Sequence, residues 1–315
     1  MKKVLLTGAT GFIGRHCLPL LLADGYEVHA VSARVEAFDT LPEVHWHRTD
    51  LLDSRRVSEL MAKVQPTHLL HLAWYAEPGK YWTSLENFRW VKASLDLFQA
   101  FASCDGHRVV VAGSCAEYDW QHAGLCSEKT TPLVPSTLYG ACKHSLHCML
   151  DAFARQNGLS AAWGRIFFLH GPHEHPERLI ASVIRALLRN EPARCSHGNQ
   201  IRDFLCTEDA AAAFVALLNS EVDGAVNIAS GQAVSLQEIV YKIAEKLDRP
   251  DLVQLGAVPA PQNDPLFLVA DANRLRSDVG WSPQYDLDQG LERTISWWRH
   301  TLRQSRADHL SAFIN

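Results

Sequence analysis

The chain lacks a long hydrophobic run, a C-x-x-C cysteine pair and any biased tract, and its charges nearly balance. Each absence excludes something. A membrane-crossing helix needs roughly 20 consecutive apolar residues, and no stretch approaches that. The apolar run behind Met1-Lys2-Lys3 is too short for a secretory leader, so a cytoplasmic location is expected. Cysteines at 17, 104, 115, 126, 142, 148, 195 and 206 show no disulfide-framework spacing, which points to free thiols in a reducing compartment. A net charge of -5 gives nucleic acid and anionic membranes nothing to hold, and neither is an expected partner. What remains is ordinary globular composition over 315 residues, enough for one large α/β domain and a smaller one.

The first half alternates short apolar runs with helical patterns. Strands are expected over Val4 to Thr7, Val28 to Ser32, His68 to Ala73, Val109 to Ala112 and Ala161 to Phe168. Helices are expected over Ile13 to Asp24, Arg55 to Val64, Leu85 to Ser103 and Leu138 to Asn157, then Leu179 to Arg189, Thr207 to Leu218 and Leu236 to Leu247. Repeated strand–helix units imply a doubly wound parallel sheet of the Rossmann type. The expected division is a dinucleotide-binding domain over 1–165, with contributions from about 200–230. A smaller, interwoven domain over 166–315 would bind mainly substrate.

The run Thr7-Gly8-Ala9-Thr10-Gly11-Phe12-Ile13-Gly14 follows the first strand directly. Three glycines spaced by three make a phosphate-binding turn: the first permits the bend, the second admits a pyrophosphate, the third lets the helix pack closely. The helix N-terminus then offers free N–H groups to the phosphates. Further along, Tyr139 and Lys143 stand four residues apart in Tyr139-Gly140-Ala141-Cys142-Lys143. Ser136 or Thr137 would cap their helix, and the spacing puts phenol and ammonium on one face. A nearby ammonium favours phenolate, so Tyr139 is expected to have a lowered pKa. Ser114 ends the run Val109-Val110-Val111-Ala112-Gly113, at a strand's carboxyl end where sites of such sheets form.

With these residues in view, the chain resembles the extended short-chain dehydrogenases/reductases of the nucleotide-sugar epimerase/dehydratase family. The resemblance runs over almost the whole length. It is carried by residues 7–14, Asp50-Leu51, His71-Leu72-Ala73, Ser114 with Tyr118, Tyr139 with Lys143, and Gly171-Pro172. Arg202-Asp203-Phe204, residues 227–231 and Gly280-Trp281 continue it. It implies Tyr139 as acid/base, Lys143 holding the nicotinamide ribose, and Ser114 bonding the reacting oxygen. Asp50 and Leu51 would flank adenine, with Leu72 and Ala73 lining the cofactor groove beside Gly8, Thr10, Gly11, Phe12, Ile13 and Gly14. Arg202 would meet the substrate diphosphate. A homodimer pairing the helices over 85–103 and 138–157 follows by analogy.

Cofactor and reaction need finer signs. Ser32 stands at the end of the second strand where NAD-preferring relatives place an aspartate, and Arg34 follows. That favours NADP(H), with NAD(H) possible. Dehydratases of this kind carry an Asp-Glu pair after the serine; Cys115 and Ala116 stand here, so dehydration is not expected. The Cys–His pair of relatives that epimerise beside the ketone is not matched either, since Cys115 is one place early, although His173 has its histidine. Phe168, Trp90 and Pro261 replace residues with which relatives hold the nucleotide, while Asp264 remains. The expected reaction is NADPH-dependent reduction of a 4-keto-6-deoxy nucleotide sugar. The alternatives are an NAD-dependent nucleotide-sugar 4-epimerase and a non-catalytic dinucleotide-binding sensor. Trp74, Glu117, His173 and Arg202 are the expected substrate contacts. His170, His173 and His175 with Glu174 lack the spacing of a zinc motif, and no metal is expected.

Overall fold

A computed structural model describes residues 2–33, 41–260 and 264–312 of the chain. Its first strands are β1 (Lys3–Thr7), β2 (Glu27–Ser32), β3 (His45–Arg48), β4 (His68–His71), β5 (Arg108–Ser114) and β6 (Ser160–Ile166). The helices between them are α1 (Gly14–Ala23), α2 (Ser54–Val64), α3 (Glu86–Ala102) and α4 (Leu138–Asn157). The second half adds β7 (Phe168–His170), β8 (Ala193–Arg194), β9 (Ile201–Arg202), β10 (Phe204–Cys206) and β11 (Gly224–Ile228), and then β12 (Val234–Ser235), β13 (Val253–Gln254) and β14 (Phe267–Leu268). Its helices are α5 (Leu179–Leu188), α6 (Thr207–Asn219), α7 (Leu236–Lys246), α8 (Asn273–Ser277) and α9 (Leu287–Ala312). Among the described residues no helix is long and apolar enough to cross a membrane.

Seven parallel strands in the order β11-β6-β5-β4-β1-β2-β3 form the main sheet, the doubly wound α/β arrangement. Both faces are covered, which is why β1 and β5 read as nearly unbroken apolar runs rather than alternating ones. Leu6, Val28 and Val110 pack under α1 and α6 on one face. Leu5, Val31, Val109 and Val111 pack under α2, α3 and α4 on the other. A separate core joins α5, α7 and α9 in the smaller lobe, centred on Ile184, Ile239, Ile243 and Leu291.

The structure extends the sequence reading in three places. β3 escapes the pattern because its four residues are polar or aromatic at the sheet edge. β11 enters the sheet from beyond residue 220, through Asn227 and its neighbours. The apolar stretch over 161–168 divides into β6 and β7, the latter leaving the main sheet to pair with β10. Helix ends follow their caps. Asp53 accepts the backbone N–H groups of Arg55 and Arg56 at the start of α2, and Thr137 accepts that of Gly140 (3.0 Å) in α4.

Candidate active site

At the carboxyl ends of β1, β4 and β5 lies a cavity of about 350 Å³. The glycine turn forms one wall. Gly8 has φ +70°, and a Cβ there would fall 2.9 Å from the Ala73 nitrogen. A Cβ on Gly14 would fall 2.1 Å from the Gly8 carbonyl oxygen, so helix and turn touch backbone to backbone. The turn is also tied to β4: Thr7 Oγ1 accepts the Ala73 N–H (3.2 Å) and bonds His71 Nδ1 at 2.7 Å. His71 passes its other nitrogen to Ser94 (2.9 Å), and burial pushes its pKa down to about 3, which keeps the ring neutral. Gly8, Gly11, Phe12, Ile13, Gly14, Leu72 and Ala73 all line the cavity, a cradle shaped for a dinucleotide. Thr10, Ser32, Asp50 and Leu51 lie outside that lining, at the ends of β1, β2 and β3, with Thr10 Oγ1 3.5 Å from Ser32 Oγ. Arg34 and Pro261 fall outside the described residues.

Ser114, Tyr139 and Lys143 line the same cavity. Ser114 caps a 3-10 turn over Cys115–Glu117. Its Oγ accepts the Ala116 N–H (3.1 Å), while Glu117 Oε1 accepts the Ser114 N–H (2.8 Å). The Ser114 side chain favours the Tyr139 phenolate. The expected lowering of the tyrosine pKa by Lys143 is not what governs here. Burial pushes the phenol above its ordinary value, and the leading opposing influence is the Ser114 side chain. Lys143 is itself buried: its ammonium donates to the Ala112 carbonyl (2.7 Å) and lies 3.7 Å above the Trp74 ring. Burial draws its pKa down to about 7, partly offset by Glu117.

The expected substrate residues separate. Trp74 lines the cavity, with its indole N–H on Asn87 (2.9 Å). Glu117 does not. Its carboxylate is fully buried, accepting from Arg165 Nε (2.9 Å) and Trp163 Nε1 (2.8 Å), so it neutralises a core guanidinium. His173 takes φ +68° and turns its ring to Trp297 (4.7 Å between centroids), away from the lining. Arg202 sits one layer behind, 5.2 Å from the Phe168 ring and bonded to Asp264 Oδ1 (2.7 Å). Asp264 is the member of that pair that reaches the cavity.

Sequence reasoning missed Arg178 and Trp120, which both line the cavity. Arg178 stands at the start of α5 and electrostatically favours the Tyr139 phenolate. Its position just before an apolar helix that follows a strand end was the available signal. Around Tyr139 the aromatic segment closes in: Tyr81 at 4.9 Å, Trp82 at 5.7 Å and Trp74 at 6.5 Å between ring centroids.

A doubly wound sheet, a dinucleotide cradle and a converging Ser–Tyr–Lys set define an oxidoreductase-type enzyme that works through a nicotinamide cofactor. The chain belongs to the NAD dependent epimerase/dehydratase family, whose model matches residues 4–229, within the extended short-chain dehydrogenases/reductases. It is 26% identical to UDP-glucuronic acid decarboxylase 1 of Xenopus tropicalis, over 96% of this chain and 73% of that protein. It is likewise 26% identical to UDP-glucose 4-epimerase of Rhizobium meliloti (strain 1021), over 94% of this chain and 97% of that one. Among solved structures, MoeE5 in complex with UDP-glucose and NAD superposes with a TM-score of 0.82 at 31% identity, covering 95% of this chain and 99% of that one.

Proposed function

We propose that the chain is an NADPH-dependent reductase of the 4-keto group of a 4-keto-6-deoxy nucleotide sugar. One observation carries the reading. Ser114 and Tyr139 line one cavity and the serine hydroxyl favours the tyrosine phenolate, while the two positions after Ser114 offer no acid or base. Ala116 has none to offer, and burial pushes the Cys115 thiol up, so it stays protonated. The turn after Ser114 can therefore serve one reacting oxygen and offers nothing to expel water from a neighbouring carbon.

The cofactor, when bound, carries the hydride. The protein handles the proton. Because the Ala116 N–H already occupies a lone pair of Ser114 Oγ, the serine proton is free to turn toward Tyr139 or a substrate oxygen. A phenol held above its ordinary pKa is a proton donor at neutral pH, which suits protonation of a developing alkoxide. Trp74, Tyr81 and Trp82 offer ring faces to the apolar side of a sugar, and Arg178 with Asp264 supplies polar recognition. NADP preference is supported by Ser32, which carries no charge to repel a 2′-phosphate. Arg15 adds a cation nearby, its guanidinium donating to the Thr10 carbonyl (2.7 Å). A cytoplasmic homodimer through α3 and α4 goes with this reading, and exposed Phe88 and Met149 on those helices support it.

The rival is an NAD-dependent 4-epimerase, favoured by the likeness to UDP-glucose 4-epimerase of Rhizobium meliloti (strain 1021) and, for the cofactor, to MoeE5, whose structure holds NAD. Titration with NADPH and NADH separates the two, followed by nicotinamide fluorescence in the wild type and in Arg34→Ala. Tight NADPH binding that falls to the NADH level in the variant supports the reductase. NAD retained through purification, with NADH preferred, overturns it.

A further inference from the structure

Away from the cavity, Glu27-Val28-His29 on β2 and His45-Trp46-His47 on β3 each repeat with the two-residue period of a strand. All four polar side chains therefore share one face of the sheet. The register sets His29 beside His45, and the rings stack at 4.9 Å between centroids, with His29 and His47 at 5.1 Å. His29 Nε2 lies 2.9 Å from Glu27 Oε1, and its Nδ1 lies 2.9 Å from His47 Nε2. One donor atom each from Glu27, His29 and His45 falls within 4.8 Å of the others. We propose that Glu27, His29 and His45 bind one divalent transition-metal ion of the zinc type, with His47 orienting His29 by hydrogen bond.

The donor set fits that chemistry. Tetrahedral zinc with bonds near 2.0–2.1 Å places its ligand atoms about 3.3 Å apart, close to the 2.9 Å between Glu27 and His29, and His45, within 4.8 Å of both, would turn in to join them. A ligating histidine usually passes its second ring N–H to an acceptor, which His47 Nε2 provides. Two imidazoles and one carboxylate suit zinc, cobalt or nickel, whereas calcium and magnesium would demand more oxygen. Lys3 and Lys63 stand at the rim. The Lys3 ammonium is 3.6 Å from Glu27 Oε1 but donates to the Val64 carbonyl (3.0 Å), and Lys63 acts on His47. The other comparable cluster, Glu117 with His144 and His147, carries no such reading, because Arg165 already claims its carboxylate. β3 is the sheet's edge strand and leads into Asp50 and Leu51, so an ion bridging it to β2 would fix that edge.

The test is titration of the purified chain with Co²⁺, followed by its visible d–d bands, in the wild type and in His45→Ala. His45 is exposed, so the variant keeps its core; His107→Ala, at another exposed histidine, is the control. The expected result is one Co²⁺ per chain, displaced by Zn²⁺, with affinity reduced about 100-fold or more in His45→Ala, beyond the roughly 10–100-fold that loss of an outer partner costs, and unchanged in His107→Ala. Zn²⁺ should also raise the Tm of the wild type and not that of His45→Ala. Glu27→Gln, which keeps the shape and removes the charge, should weaken binding as well. Absence of d–d bands in the wild type, or equal titration of wild type and His45→Ala, overturns the proposal.

Discussion

The two walls of the cavity are held by different means. On the cofactor wall, backbone meets backbone: Gly8 against Ala73, Gly14 against Gly8, and Gly140 of α4 against the Ala116 carbonyl, where an added Cβ would fall at 2.2 Å. On the substrate wall, side chains do the holding: the aromatic cluster around Tyr139, the Arg202–Asp264 pair, and Arg178. Main-chain contacts tolerate almost no change of residue, whereas side-chain contacts can be exchanged one at a time. A family built this way can keep its cofactor chemistry while changing its substrate.

The comparison can be broken most forcefully at the carboxylate beneath Ser114. Glu117→Ala leaves the Arg165 guanidinium uncompensated in the core and should cost about 3–5 kcal/mol in urea unfolding. A loss below about 1 kcal/mol would mean that the pair does not anchor the serine turn. Next in size, Tyr139→Phe should lower turnover about 10²–10⁴-fold while dinucleotide affinity stays unchanged. Turnover at the wild-type rate would remove the phenol from the mechanism. On the substrate wall, Asp264→Ala frees Arg202 and should raise KM about tenfold with kcat nearly constant. A fall in kcat at constant KM would place that pair with the chemistry instead. An effect visible only across pH concerns Glu174, whose pKa burial raises from 4.5 to about 8. A carboxyl with a raised folded-state pKa binds more protons folded than unfolded. Its stabilising contribution is full below pH 4.5 and is lost as pH rises through about 8. Glu174→Gln should flatten that slope in denaturation curves recorded across the window, and an unchanged slope would assign it elsewhere.

Legibility in the sequence follows the same division. The glycine turn, the helix bearing Tyr139 and Lys143, and the serine at the end of β5 each belong to one strand–turn–helix unit. Residue order alone fixes where they lie. Glu117, His173 and Arg202 depend on what distant segments bring to them: Arg165 from β6, Trp297 from α9 and Asp264 from the loop before β14. Spacing carries no information about such meetings. Tyr139 shows the limit for electrostatics, since its i,i+4 lysine was visible while the burial that governs the phenol was not. β3 was missed for a related reason: edge strands need not alternate, and the polar residues that hid it now form the candidate metal site.

The short turn after β5 is clamped at both ends, by Ser114 on the Ala116 N–H and by Glu117 on the Ser114 N–H, and α4 rests on its carbonyl. Cys115 and Ala116 sit inside that clamp, contributing neither of its side-chain bonds. The turn thus works as a socket, in which positions 115 and 116 can be re-equipped with acids or bases while serine and tyrosine stay in place. A lineage could pass between reduction, epimerisation and elimination by point substitution at the two central positions, without first dismantling the active site it inherited.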